Sequence, residues 1–288
     1  MKKCTVLLVL LLMLVTAAVW GQRRRWYGGR GGSYSESYRK PREIPQHGYE
    51  TPTWTNTAGF DSDAFTFVRI IRSSGYGSGG PWTTDTPDSD LNLSFRLQQM
   101  TSMKVDPDGL FLRLTDKELP NYPFIYMVEP GSLYLSDEEA TALRTYLLNG
   151  GFLMLDDFWG EQQWEVMANE MKKVFPNRSF AELPLDDPLY RCVFDIKTKG
   201  QVPNVEIGTA SQYLPGRTWE YHDGEECKEV HHRVIRDDKG RIMVIATHNT
   251  DNGDGWEWEG DNHFYFEHFS EKIAYPLAVN IIFYSMTH

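Results

Sequence analysis

The sequence predicts one α/β domain with a mainly parallel sheet and helices on both faces. Strand-like apolar runs alternate along the chain with segments of helical spacing, which is the pattern of strands joined by helices. The apolar run at 151–155 ends abruptly in two carboxylates, as buried parallel strands do at an edge that binds ligands. The stretch 60–288 is long enough for one large domain, so we assign it to a single unit.

Three strands and one helix are predicted in the first part of this domain. Alternation and branched residues predict a strand at Phe65–Ile71. The glycine-rich loop 73–80 lacks the lysine and hydroxyl residue of an ATP-binding loop, so no phosphate site is expected there. A helix is predicted from Asp88 to about Met103, because acidic residues open it. Two further apolar runs predict the strands Leu110–Leu114 and Tyr122–Val128, the second followed by Glu129.

The centre of the domain predicts a helix, a tight turn and a buried strand in succession. Ser136 and Glu139 have the spacing of a capping box, so we expect a helix from there to Asn149. The glycine pair that follows supplies a left-handed stop. The next strand ends at three residues that suit a ligand site, Asp156, Asp157 and Trp159.

Two helices, a loop-rich segment and a hairpin are predicted after the central strand. Helical spacing predicts a helix over Glu161–Phe175, which Pro176 ends. Residues 180–228 are interrupted by proline and glycine, which predicts a loop-rich insertion or a cover over the sheet edge. A hairpin is predicted from the strands His231–Arg236 and Arg241–Thr247. A closing helix is predicted at Ser270–Met286, with Pro276 in its first turns or at a kink.

A second acidic loop follows the last predicted strand. The run 248–259 again places carboxylates and tryptophans beyond a strand end. If both strands run the same way in one sheet, the two loops and His248 meet above the same edge. The sequence therefore predicts a ligand site formed by Asp156, Asp157, Trp159, Asp251, Asp254, Trp256 and Glu257. The candidates for catalysis within this set are Asp156, Asp157 and Glu257.

Three interpretations of these loops stay open. Oxygen-rich loops suit calcium, but Asn249, Asp251 and Asp254 depart from EF-hand spacing and no glutamate stands at the twelfth position. Paired carboxylates beside tryptophans suit a carbohydrate. Asp and Gly also form turns without any ligand, and tryptophans cover sheet edges. The histidines lack the spacing of a zinc site, so we predict no metal and no cofactor.

The N-terminal segment predicts export. Residues 1–21 combine a charged start, an apolar run and small residues, which indicates a signal peptide and a periplasmic or extracellular protein. The apolar run is shorter than the roughly 20 residues of a membrane-spanning helix, so no stable span is expected. The arginines at 23–25 directly follow the apolar run, and positive charge there resists translocation, so an N-terminal membrane anchor is the alternative. Residues 22–59 are rich in Gly, Arg, Ser and Pro and predict a linker.

Charge and cysteine content exclude further classes of function. The formal net charge of −11 argues against nucleic acid as a partner. Only Cys192 and Cys227 remain after the predicted signal, and the sequence leaves open whether they pair. Neither stands in the strand-to-turn context of a nucleophile, and acidic neighbours of Cys227 disfavour a thiolate. A catalytic cysteine is therefore not expected.

Several motifs together resemble a known family. They are Asp156-Asp157-Phe158-Trp159-Gly160 after the glycine pair, Val174-Phe175-Pro176 with Glu182-Leu183-Pro184, Asp254-Gly255-Trp256-Glu257, and the close from Tyr275-Pro276 to His288. The stretch 65–288 resembles the uncharacterised bacterial domain-of-unknown-function family numbered 4159. The resemblance implies a three-layer flavodoxin-like fold, similar to class I glutamine amidotransferase-like domains. The turn that holds the amidotransferase cysteine would hold Asp156 or Asp157 here, and a carboxylate cannot form the thioester.

These observations predict an exported, noncatalytic α/β domain of the cell envelope that binds a ligand or partner. The expected partner is an envelope protein or a carbohydrate, bound over the edge that carries Asp156, Asp157 and the 251–257 loop. The alternative is a hydrolase that uses these carboxylates on a carbohydrate or envelope substrate. A third interpretation is an envelope scaffold whose tryptophans pack internally.

Overall fold

Seven strands form one sheet at the centre of the computed structural model. They are β1 Val68–Ile70, β2 Leu110–Leu112, β3 Phe124–Val128, β4 Phe152–Asp156, β5 Ala181–Glu182, β6 His231–Arg236 and β7 Ile242–His248. The strand order is β2-β1-β3-β4-β7-β6-β5. The first five strands of this order run parallel, β6 runs antiparallel to them, and β5, which pairs antiparallel with β6, has the direction of the first five again. The prediction of a mainly parallel sheet is confirmed, and so is the hairpin, which β6 and β7 form.

The structure describes residues 38–47, 50–57, 59, 63–72, 81–214, 216–220 and 224–288. The predicted signal peptide or anchor, the first part of the predicted linker and the glycine-rich loop 73–80 lie outside these residues. Within them, no helix is both long and apolar enough to cross a bilayer.

Helices connect the strands and cover the sheet. The described residues form α1 Asp88–Met100, α2 Asp137–Leu148, α3 Gly160–Val174, α4 Val205–Ala210, α5 Asn252–Glu257, α6 His263–Tyr265 and α7 Tyr275–Thr287, with a π-helix Phe266–Ala274 between the last two. Short 3-10 turns lie at Pro41–Glu43, Pro81–Thr83, Leu119–Asn121, Pro130–Ser132, Pro188–Arg191 and Glu225–Cys227.

Side chains of the central strands alternate between two hydrophobic cores, one on each face of the sheet. On β3, Tyr126 belongs to the first core and Met127 to the second, and Met154 and Leu155 divide in the same way on β4. Helices α1 and α7 complete the first core, while α2 and α3 complete the second. The molecule is therefore a three-layer α/β structure. The finer flavodoxin-like and amidotransferase-like assignments stay predictions.

Local sequence signals explain where the central helix begins and ends. The Ser136 hydroxyl accepts a hydrogen bond from the Glu139 backbone at 3.2 Å, and the Glu139 carboxylate accepts one from the Ser136 backbone at 2.9 Å. Beyond the helix, Gly150 has a φ of 107°, and Gly151 lies against the Tyr146 ring, where a Cβ would clash. The predicted capping box and glycine stop therefore set both ends of α2.

The closing helix differs from its prediction in one respect. Instead of one α-helix from Ser270, the chain forms a π-helix up to Ala274 and an α-helix from Tyr275. Pro276 lies in the first turn of α7, directly after the π-helix, so the helical backbone continues through a residue that has no N–H to donate. The change of helix type thus occurs next to the proline.

Residues 38–57, which fall in the predicted linker, pack on the domain where they are described. The Arg42 guanidinium donates to the carbonyls of Thr51 and Pro107, both at 2.7 Å, and Ile44 is buried. The Trp54 indole donates to the Val105 carbonyl at 2.8 Å. The segment is attached mainly by hydrogen bonds to backbone carbonyls, so the apolar periodicity of the sequence does not predict the attachment.

Candidate functional site

A cavity of about 470 Å³ opens at the carboxyl ends of β3, β4 and β7, the edge at which open parallel sheets bind ligands. The two predicted acidic loops meet here, together with residues from three other parts of the chain. The lining residues are Thr84, Asp85, Glu129, Gly131, Ser132, Asp157, Trp159, Gln163, Asn204, Glu220, Asp251 and Asp254.

The lining is strongly acidic. Six of its residues carry carboxyl groups, and none of the described lining residues is a lysine, an arginine or a histidine. The guanidinium groups of Arg69 and Arg72 lie behind the lining: Arg69 pairs with Asp90, and Arg72 donates to the carbonyls of Val128 and Glu129. Their charges favour the ionised form of Glu129, but the acidic groups of the lining outnumber these two cations.

Asp156 lies beneath the cavity rather than in its lining. Its carboxylate accepts hydrogen bonds from the Thr247 hydroxyl at 2.5 Å, the Asn252 amide at 2.7 Å, and the Tyr126 hydroxyl and Gly253 backbone at 3.1 Å each. Burial raises the pKa of Asp156, and these four donors oppose the increase. Asp156 thus joins β3, β4 and the segment after β7, and its oxygens are occupied.

Asp157 is half-buried and faces the cavity. Its Oδ1 accepts a hydrogen bond from the Trp159 indole nitrogen at 3.0 Å, which fixes the orientation of the carboxylate. Burial raises the pKa of Asp157 well above its usual range, and the nearby charges of Glu129 and Asp156 raise it further. Trp159 itself is only 4% exposed, so it contributes an edge to the lining rather than an open ring face.

Asp251 and Asp254 reach the cavity from the segment after β7. The sequence predicts a loop there, but Asp251 accepts a hydrogen bond from the Asp254 backbone at 2.8 Å and caps the short helix α5. Asp254 Oδ2 accepts one from the Val205 backbone at 2.8 Å. Burial raises the pKa of both carboxyls well above the usual range, with Asp157 adding to the shift of Asp251 and Glu257 to that of Asp254.

Asp85 is a cavity residue that sequence reasoning missed. It precedes α1, is 8% exposed, and its Oδ2 has no hydrogen-bond partner among the described residues. This oxygen lies so close to Gly253 that a Cβ there would stand 2.1 Å from it. Burial raises the pKa of Asp85 well above its usual range, and Asp254 and Glu257 add to the shift. No strand directly precedes Asp85 in the sequence, so strand-end reasoning could not identify it.

Two glutamates complete the acidic lining. Glu129, noted in the sequence only as the residue after a strand, accepts a hydrogen bond from the Thr84 hydroxyl at 2.9 Å. Burial raises its pKa. Glu220 lies in the segment predicted as an insertion or a cover and accepts hydrogen bonds from the Asn204 side chain at 2.6 and 2.7 Å. That segment therefore contributes to the wall of the cavity.

Trp256, Glu257 and His248 occupy positions other than the predicted ligand wall. Trp256 is fully buried in the first core, where its ring packs against those of Phe67 and Tyr126. Glu257 lies outside the lining and approaches the His47 imidazole at 3.6 Å. His248 is buried and stacks on Phe158. Burial is decided by tertiary packing, which the sequence pattern of this loop does not reveal.

The backbone around the cavity is unusual. The described non-glycine residues with positive φ are Asp85, Glu129, Asp157 and Asn249, at values between 47° and 63°. Three of them line the cavity and the fourth follows β7, where its amide donates to the carbonyls of Glu226 and Glu229. Left-handed backbone at non-glycine residues is uncommon and concentrates at functional sites.

Carboxyl oxygens approach closely in two groups at this edge. One oxygen each from Asp85, Asp157 and Asp251 lie within 4.8 Å of one another, as do oxygens from Asp85, Asp254 and Glu257. A third group, at the same limit, joins His47, Asp88 and Glu257. This limit is below the separation of about 6.5–9.5 Å between the carboxyl groups of inverting glycosidases and close to the separation of about 5–5.5 Å in retaining ones.

The cysteines take no part in this cavity. Cys192 and Cys227 are not joined in a disulfide, and neither is among the described lining residues. Cys227 is buried.

Comparison with known proteins identifies a family but no activity. The family model described as Domain of unknown function (DUF4159) matches residues 66–286, which confirms the resemblance drawn from the motifs. No curated protein matches the chain. The description of the family names no ligand or reaction.

Proposed function

The chain belongs to the DUF4159 family of domains of unknown function, and on that premise we propose that it is a noncatalytic binding domain for a small, positively charged ligand. The observation that carries the proposal is the charge of the cavity. Six carboxyl groups line it, without a lysine or arginine among the described lining residues. A lining of one charge sign attracts ligands of the other sign and repels those of its own.

The size of the cavity supports a compact ligand. Its volume of about 470 Å³ falls in the range of small-molecule sites, about 300–1,000 Å³. Most such sites are lined by apolar side chains, whereas carboxylates, hydroxyls and amides predominate here. The ligand class that fits is polar and cationic, such as an amine, the basic group of a partner protein or a metal ion.

Carbohydrate binding receives less support. Sugar recognition uses the open face of an aromatic ring, but Trp159 is nearly buried and its indole nitrogen is held by Asp157. Trp256 lies in the core. Neither tryptophan therefore offers a platform to a sugar ring.

We favour binding over catalysis because the described lining lacks the cysteine or histidine that most nucleophile–base pairs use. Asp156, the buried candidate for catalysis, accepts four hydrogen bonds inside the protein. A residue so engaged positions its neighbours rather than acting on a substrate.

One observation favours the hydrolase alternative. Asp157 faces the cavity, and burial raises the pKa of its carboxyl, as in a general acid. Replacing Asp157 with Asn separates the two functions, because Asn keeps the shape of the side chain and removes the acid. Loss of turnover on an envelope polysaccharide with intact ligand binding would support the hydrolase.

We also propose that the domain meets its ligand outside the cytoplasm. The proposal rests on the signal-like residues 1–21. Fusion of residues 1–59 to a reporter enzyme that is active only after export tests it. Reporter activity is expected, and its absence with a full-length fusion product present in the cell would contradict the proposal.

The binding proposal is tested with three probes of different charge. Spermidine, cellobiose and citrate are added to the full chain in buffer with EDTA, and the melting temperature is measured. Spermidine is expected to raise the melting temperature because a ligand that binds the folded state stabilises it. The Asp251→Asn variant should show a smaller increase. Stabilisation by citrate or cellobiose without an effect of spermidine would contradict a cation site.

A further inference from the structure

We propose that Asp85, Asp157 and Asp251 bind a divalent cation that prefers oxygen ligands, Ca²⁺ or Mg²⁺, in the acidic cavity. The inference rests on the proposed function and names the ligand class more closely. One oxygen from each carboxylate lies within 4.8 Å of the other two. Three oxygens at most 4.8 Å apart have a common point within about 2.8 Å of each, so a small inward movement of the side chains brings all three to the calcium distance of about 2.3–2.6 Å.

The three carboxylates have oxygens free for a cation. Asp85 Oδ2 is buried without a hydrogen-bond partner among the described residues. An unpaired buried carboxylate oxygen is costly, and a bound cation would satisfy it. Asp157 and Asp251 each use Oδ1 for one internal donor, the Trp159 indole and the Asp254 backbone. These bonds orient both carboxylates and leave their second oxygens available.

Among the described residues, no cationic side chain forms an ion pair with Asp85, Asp157 or Asp251. The charge of Arg69 lowers the pKa of Asp85, but by less than burial and the acidic neighbours raise it. The Arg69 guanidinium is held by Asp90, with its Nε 3.0 Å from both carboxylate oxygens, and it also donates to the Trp82 and Thr84 carbonyls. Arg72 donates to backbone carbonyls after β3. A divalent cation would therefore be the first positive charge in direct contact with these three carboxylates among the described residues.

In each of the other two groups of ligand atoms, the protein itself supplies a hydrogen-bond donor to a carboxylate. His47 hydrogen-bonds Asp88 and Glu257, which raise its pKa to about 10, so an imidazolium balances that group. Asp254 Oδ2 accepts a hydrogen bond from the Val205 backbone at 2.8 Å, so one oxygen of that group already has a donor. In the group formed by Asp85, Asp157 and Asp251, each carboxylate keeps one oxygen to which no described residue donates a hydrogen bond.

The three residues lie in separate segments, before α1, after β4 and after β7. Local spacing rules such as the EF-hand pattern therefore cannot detect the group. The left-handed backbone of Asp85 and Asp157 also makes asparagine a suitable replacement, because asparagine tolerates that conformation better than most residues. Asparagine likewise serves as an N-cap at position 251.

The experiment is calorimetric titration of the full chain, stripped with EDTA and dialysed, with CaCl₂ and in parallel with MgCl₂. We expect one ion to bind per chain. Asp85→Asn and Asp251→Asn should each weaken binding at least about tenfold, because affinity depends on ligand charge. The matched control is Asp238→Asn, whose carboxylate is 90% exposed beside Arg178, and it should bind like the original protein.

A thermal melt in EDTA checks that the variants fold. Asp85→Asn should melt at or above the temperature of the unaltered chain because it removes repulsion, and Ca²⁺ should no longer raise it. If neither ion binds the unaltered chain, or if both Asn variants bind as tightly as the control, the proposed site is wrong. Binding of spermidine without either ion would overturn the metal site alone, whereas binding of none of the three would overturn the proposed function as well.

Discussion

At the scale of single residues, Asp156 and Asp157 are neighbours in opposite surroundings. The first ends β4 with four internal hydrogen bonds, and the second turns into the cavity with a φ of 57° and one internal donor. The sequence shows only two adjacent carboxylates. The structure assigns the first to the framework of the site and the second to its lining.

Replacing Asp156 with Ala should lower the free energy of unfolding by about 3 kcal/mol, because buried donors of Tyr126, Asn252 and Gly253 lose their acceptor. Chemical denaturation measures the change. Asp238→Ala serves as the control for loss of a carboxylate and should stay within about 0.5 kcal/mol. An Asp156→Ala variant of unchanged stability would refute the framework role.

Trp256 also belongs to the framework. Trp256→Ala should reduce stability by about 3–5 kcal/mol, since the indole is fully buried between the rings of the first core. Its effect on ligand affinity should be small once the variant is folded at low temperature. Tyr213→Ala, which truncates a ring that is 78% exposed, provides the comparison. Equal melting temperatures for the two variants would be incompatible with this position of Trp256.

At the scale of elements, the capping box at the start of α2 is the clearest link from sequence to structure. Ser136→Ala should cost about 1 kcal/mol, because the Glu139 backbone loses its hydrogen-bond acceptor. Ser136→Thr keeps the hydroxyl and should retain most of the stability. Denaturation curves of the three proteins measure the difference, and coincident curves for Ser136→Ala and the original chain would exclude a role for the cap.

The elements that could be predicted are those whose signals are local. Periodicity, the Ser136 cap and the glycine stop define α2, β4 and the β6–β7 hairpin directly in the sequence. The cavity could be predicted in part: Asp157, Asp251 and Asp254 follow strands, whereas Asp85 and Glu220 reach it from segments without such a signal. Which carboxylates point inward depends on contacts between distant segments, as Asp156 and Thr247 illustrate.

At the scale of the whole molecule, buried histidines make stability depend on pH. Burial lowers the pKa of His232 to about 3 and that of His248 to about 4. In the unfolded chain a histidine titrates near 6.5. Between these values the unfolded state binds more protons than the folded state, so the histidines reduce the free energy of unfolding as the pH falls below about 6.5.

His232→Asn should flatten this dependence. Asparagine can keep the hydrogen bond that the Tyr190 hydroxyl forms with Nδ1, and it does not titrate. The buried carboxyls with raised pKa act in the opposite direction, because they bind protons in the folded state, and they are the same in both proteins. Melting temperatures measured from pH 7 to 4.5 should fall more steeply for the original chain than for the variant. Parallel curves would contradict a neutral buried His232.

The left-handed residues at the strand ends have a kinetic consequence. Asp85, Glu129 and Asp157 hold their carboxylates on backbone that the sheet and both cores fix in place, so like charges are brought together during folding and not during binding. An incoming cation encounters an assembled field and needs no rearrangement to be captured. The association rate should therefore be fast and should fall steeply as ionic strength rises, because dissolved salt shortens the reach of that field to about 8 Å at physiological concentration.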